Sequence, residues 1–163
     1  MDVEIDRNRP EAKASDERDL LRERHGQDRL TGTVLLVEPN EVRRDQYGAW
    51  LEEAGLQPIN CPGPHAPDFT CLGARGERCA LSMAADIVVL NSQPLSTVSR
   101  KGLPGWRLLR HYLALGKPVV VISSQPHRKQ SFRPEQIACL TADPGRESLL
   151  LAVRRLLRDA QHW

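Results

Sequence analysis

Three cysteines and a histidine, Cys61, His65, Cys71 and Cys79, fall in one Pro/Gly-rich stretch and together offer three thiolate sulfurs and an imidazole nitrogen. Zinc accepts such a donor set, and the thiols alone could carry an iron-sulfur cluster. Nine residues separate Cys61 from Cys71 and seven separate Cys71 from Cys79, so no close C-x2-C pair is present. The spacing therefore matches neither of the common patterns. A disulfide such as Cys71 to Cys79, or plain thiols in a loop packed on its own side chains, stays open beside the metal reading. About 20 residues without period must nonetheless be ordered, and fixing each backbone costs about 1 to 2 kcal/mol.

A second group of residues follows the apolar runs. Glu38 and Pro39 come after Val34 to Val37, Asn91 closes the run from Ala85 to Leu90, Ser123 follows Val119 to Ile122, and Ala142 follows Ile137 to Leu140. A carboxylate there could hold a cation or take a phosphoryl group. The amide of Asn91 can do neither of those as a nucleophile or a charge.

The elements that position these residues can be read from period. Val34-Leu35-Leu36-Val37 is too short for a helix and suits a strand covered on both faces. Asn40 is placed to cap a helix carrying Tyr47, Trp50, Leu51 and Ala54 at helical spacing, which Gly55 ends. Leu56 to Asn60 reads as a second strand, suited to an edge because it contains Pro58. The cysteine stretch over 61–82 follows, with at most a short helix around Leu81 to Ala84. Asp86 to Leu90 is a strand, and Gly105 to Gly116 is a helix with Trp106, Leu109 and Leu113 on a broad apolar face. Val119 to Ile122 and Ile137 to Leu140 are two more strands. Leu149, Leu150, Val153, Leu156 and Leu157 form one side of a terminal helix, with Arg154, Arg155 and Arg158 on the other.

Strands and helices in alternation imply an α/β fold, a doubly wound five-stranded parallel sheet with helices on both faces. In such a three-layer sandwich, chemistry sits at the C-terminal ends of the strands. The 163 residues, 40% of them hydrophobic, are enough for one core. Residues 1–31 are mostly charged and read as a flexible tail, leaving 32–160 as the folded unit. A net charge of +2 gives no case for direct nucleic-acid binding. No apolar span or signal core is present, so a cytoplasmic protein without a membrane segment is expected, with thiols or metal ligands ahead of disulfides.

Over residues 32 to 160 these motifs resemble the response-regulator receiver domain of two-component signalling, a flavodoxin-like fold. Val34 to Asn40 is similar to the family's first strand and acidic pair, and Ala85 to Asn91 to the strand ending in the phosphoacceptor. Pro118 to Ser124 is similar to the strand ending in a hydroxyl residue. The resemblance implies a magnesium site of two acids and an acceptor aspartate. Here Glu38 alone is acidic, Pro39 and Asn91 replace the other two, Ser123 keeps the hydroxyl, Ala142 replaces a lysine and Cys139 an aromatic. A register with Asp86 as acceptor puts it at the wrong end of the strand. The resemblance thus implies a degenerate pseudo-receiver.

Other candidates are weaker. Gly73-Ala74-Arg75-Gly76 reads as a turn, and His111 and His127 as surface histidines without an acid or nucleophile partner. Cys139 reads as a small core residue, as do Trp50 and Trp106 as large ones, with Trp163 a terminal anchor. Arg128, Lys129, Arg133, Arg154, Arg155 and Arg158 lie where the family has its output face, and a solvated face competes with docking there. Ser123 or a cysteine as an enzyme nucleophile lacks a base. The expected function is a phosphorylation-independent signalling or adaptor module, not an enzyme, that needs no cofactor and contacts a protein partner or a second copy of itself. The alternative is a metal- or redox-sensing domain built on Cys61, Cys71 and Cys79.

Overall fold

The computed structural model describes residues 31–64, 66–92, 104–124, 133 and 135–161, with the backbone alone for 104–106. The expected tail, His65, His127, Arg128, Lys129, Trp163 and the Trp106 side chain lie outside the described residues. Five strands are formed: β1 (Thr33–Val37), β2 (Gln57–Cys61), β3 (Ile87–Asn91), β4 (Val119–Ile122) and β5 (Ile137–Leu140). The helices are α1 (Glu41–Glu53), α2 (Ala80–Ala84), α3 (Pro104–Ala114) and α4 (Arg146–Ala160), with a 3-10 turn at Gly73–Arg75. The strands form one parallel sheet in the order β2-β1-β3-β4-β5. This is the doubly wound five-stranded sheet that the sequence implies.

The continuous apolar runs are explained by two-sided burial. Along β1 and β3, Val34, Leu36, Ile87 and Val89 face one layer with Tyr47 and Leu51 of α1 and Leu149, Val153 and Leu156 of α4. Their neighbours Leu35, Val37, Val88 and Leu90 face the other layer, with Leu108, Leu109 and Tyr112 of α3. Alternate side chains on a strand point to opposite faces, so a strand covered twice must be apolar throughout.

Pro58 sits on β2, at the edge. The Gln57 N–H donates to Gly32 across the strand pair at 2.9 Å, so alternation turns position 58 toward the unpaired side, where a missing N–H removes no ladder bond. Asn40 caps α1 as expected, its side chain accepting from the Arg43 N–H at 3.0 Å. Gly55 follows α1 with φ +86, a backbone angle that glycine adopts without a Cβ clash.

Two expectations are corrected. The second strand is shifted by one residue, so that Leu56 packs into the core and Cys61 ends the strand rather than beginning a loop. Cys139 is exposed rather than a core residue. On the edge strand β5 it is Ala138 that takes the core-facing position, and Cys139 beside it points the other way. Trp50 is only partly buried, its ring tilted at 37° to that of Tyr47 with centroids 5.4 Å apart. Among the described residues no helix is long and apolar enough to cross a membrane.

The terminal helix offers a clean test of this packing. Leu156 is 0% exposed and Leu151 is 64% exposed on the same helix. Leu156→Ala should lower stability by about 2 to 5 kcal/mol in denaturant unfolding, while Leu151→Ala should stay within about 0.5 kcal/mol of wild type.

Candidate functional site

All five strands run in one direction, so the residues following them gather on one rim of the sheet. There the pairing of Val37 with Leu90 sets Glu38 beside Asn91. Both are buried, at 1% and 2% exposure. The Asn40 backbone N–H donates to Glu38 Oε1 at 2.8 Å, and Asn91 Nδ2 donates to Glu38 Oε2. The Glu38 backbone is held as well, its N–H donating to the Cys61 carbonyl at 3.0 Å and its carbonyl accepting from the Arg44 guanidinium at 3.0 Å. Leaving a buried carboxylate without donors would cost several kcal/mol, roughly. Here each of its oxygens has one.

This arrangement explains why the amide nitrogen faces the carboxylate, since only that end of Asn91 can donate. Magnesium asks for near-octahedral oxygen ligands. Pro39 brings no side-chain oxygen, Asn91 presents nitrogen, and Glu38 has both oxygens engaged, so the donor set as arranged does not fit that ion. Ser123 is half-buried just beyond β4, and its N–H donates to the Leu140 carbonyl at 3.0 Å. Ala142 is half-buried and offers no charge. Its neighbour Asp143 has φ +52 and pairs with Arg43 at 2.6 Å, an exposed ion pair worth about 0 to 1 kcal/mol. Asp86 precedes β3 and accepts from the Thr33 N–H at 2.8 Å, on the opposite rim from Asn91.

The cysteines occupy a second neighbourhood beside this rim. Cys61 is buried at the end of β2, where desolvation pushes its thiol up to about 11 although the Gly63 N–H donates to its sulfur. Burial also raises the half-buried Cys71, against the opposing effect of N–H donors from Ala74 and Gly73. Cys79 stands at the start of α2, its carbonyl accepting from the Ser82 hydroxyl at 2.9 Å. Negative charge on Cys71 or Cys79 raises the proton affinity of Cys61, charge on Cys79 raises that of Cys71, and burial first and then all three sulfurs raise the pKa of the buried Tyr112 phenol. The described cysteines carry no disulfide, and no three His, Cys, Asp or Glu donors among the described residues are set around a common metal position.

One residue of this neighbourhood escaped the sequence reading. His111, expected at the surface, has a buried Nε2 with no hydrogen-bond partner among the described residues. Gly73 lies against it: a Cβ at that position would meet Leu108 Cδ2 at 3.1 Å and His111 Cδ2 at 3.3 Å. The expected turn at 73–76 is therefore also a close approach of loop to helix. Leu108, His111 and Tyr112 fall at i, i+3 and i+4, and that spacing was the signal available for placing His111 on the packed face.

No family model and no curated protein matches the sequence. Solved structures do. A receiver domain protein described as CheY-like from Methanospirillum hungatei JF-1 is 18% identical, with a TM-score of 0.55 over 80% of this chain and 98% of that one. A response regulator receiver protein from Sinorhizobium medicae WSM419 is 19% identical, with a TM-score of 0.56 over 78% of this chain and 95% of that one. The signal receiver domain of a Luxo repressor protein from Vibrio parahaemolyticus is 12% identical, with a TM-score of 0.57 over 82% and 95%. Strand order, two-layer packing and these likenesses agree: the chain has the CheY-like fold of response-regulator receiver domains.

Proposed function

We propose that this chain is a phosphorylation-independent, receiver-like signalling or adaptor module that acts through protein contacts and has no catalytic activity of its own. The observation that carries this reading is the closed pair at the strand rim, where Asn91 replaces a nucleophile and donates into the carboxylate of Glu38. A side-chain amide does not attack phosphorus, and a carboxylate already bonded by two N–H donors is poorly placed to recruit magnesium. Ala142 in place of a lysine supports the same reading, because its side chain carries no charge to answer a phosphoryl oxygen. Pro39 removes the second acid. The losses are thus coherent, while the core that builds the fold is intact.

In this reading the module works in the cytoplasm, away from membrane and nucleic acid, and its output is a protein partner or a second copy of the chain. Arg133, Arg155 and Arg158 are exposed and would favour a partner with acidic groups.

Beryllofluoride with magnesium should leave the thermal unfolding midpoint and the tryptophan fluorescence unchanged at all concentrations. A saturable shift would sink the reading. The rim itself can be tested by Asn91→Asp, which replaces the donor to Glu38 with a second carboxylate. Its stability in the presence of a chelator should fall by about 1 to 3 kcal/mol, and millimolar magnesium should recover part of that loss while leaving wild type unaffected. A variant as stable as wild type without magnesium would show that the Glu38 contact does not hold the rim.

A further inference from the structure

We infer that the outer faces of α1 and α4 form one self-complementary surface for a second copy of this chain, with the α1 of each copy lying on the α4 of the other. This names the partner left open above, and it rests on the reading that the module works through protein contacts.

The two helices belong to one layer. Tyr47 and Leu51 of α1 close the same core as Leu149, Val153 and Leu156 of α4. Arg43 pairs with Asp143 and Arg146 with Glu53, so α1 is tied both to α4 and to the turn before it. Their outward sides therefore form a joined face. On it stand the two most exposed large hydrophobic residues among those described, Val42 of α1 at 77% and Leu151 of α4 at 64%. Single exposed apolar residues are common on any protein surface, so it is the charge around these two that points to an occupant.

Four of the six ionisable residues along α1 are acids, and four of the six along α4 are bases. Helical spacing sorts them further. Val42, Asp45, Ala49 and Glu52 fall at i, i+3, i+7 and i+10, and all are exposed. Leu151, Arg155 and Arg158 fall at i, i+4 and i+7, and they are exposed as well. The two bases of α1 are turned to other uses, Arg43 to Asp143 and Arg44 to the Glu38 carbonyl, which leaves its outer stripe acidic. Glu147 of α4 sits in the first turn, where a carboxylate suits the helix end. Asp45, Glu52, Arg155 and Arg158 have no ion-pair partner among the described residues.

Symmetry selects the occupant. A foreign partner would need an acidic and a basic stripe side by side in the matching order, whereas a second copy has both by construction. A two-fold contact repeats itself, so acids of α1 meet bases of α4 twice. Placing α1 on α1 would set like charges together, at a cost of affinity. Val42 and Leu151 then lose their exposure inside a charged surround, an arrangement in which the apolar contact holds and the charges fix orientation and partner.

Full-length protein in sedimentation velocity at low salt should show a monomer–dimer equilibrium. Its dissociation constant should rise by about tenfold or more in about 1 M sodium chloride, where charges are screened beyond about 3 Å. Asp45→Lys with Glu52→Lys makes both stripes basic, and Arg155→Glu with Arg158→Glu makes both acidic. Each of these variants alone should dimerise at least about tenfold more weakly, and an equal mixture of the two should recover a dimer with one copy of each. Leu151→Glu should weaken the wild-type dimer by a similar factor. A chain that stays monomeric to about 1 mM overturns the second copy as occupant and gives the face to a partner of another sequence. A dimer indifferent to Leu151→Glu, or a mixture that stays monomeric, overturns the pairing of α1 with α4. Should a variant fail to fold, the salt series on wild type decides, and a dimer that ignores salt overturns the surface. Any of these failures is separate from the outcome with beryllofluoride, which probes Glu38 and Asn91.

Discussion

A parallel sheet that carries helices on both faces has to hide every side chain of its central strands. β1, β3 and β4 meet that demand with unbroken runs of Val, Leu and Ile, and their alternate residues belong to different layers of the core. The same topology sends every strand the same way, so whatever follows the strands is assembled on one rim. Polar groups there sit at the top of an apolar interior and must find partners close by. Glu38 finds them in the first turn of the chain leading to α1 and in the strand beside it.

The fold was legible for the reason that it is constrained. A strand buried twice leaves a continuous apolar signature, and Pro58 announces an edge because only an edge can spare an N–H. Asn40 and Gly55 mark the ends of α1 by requirements of the backbone that few residues meet. At the rim, residue types were enough to list Glu38, Pro39, Asn91, Ser123 and Ala142. What they could not give is the direct bond from Asn91 to Glu38, which depends on the register of strands distant in sequence.

Where constraints are weaker the sequence says less. Cys139 was misplaced because a short edge strand carries one core-facing position among its middle residues, and composition does not say whether Ala138 or Cys139 has it. His111 is flanked by the exposed Arg107 and Arg110, whose charges imply the solvent side of the helix. Its ring lies on the side of Leu108 and Tyr112, where the absence of a side chain at Gly73 lets the loop come close. Contacts between a helix and an aperiodic segment have no repeat in sequence, and so only the folded chain displays them.

The bond between Asn91 and Glu38 also bears on what kind of information the fold can carry. A switch needs two conformations and an event that favours one of them by its differential affinity. Amide and carboxylate at the rim meet in a contact made from permanent side chains, with nothing to add or remove. If the chain is the phosphorylation-independent module proposed above, it reports by being present, and its signal rises and falls with the amount of chain and partner rather than with the state of either.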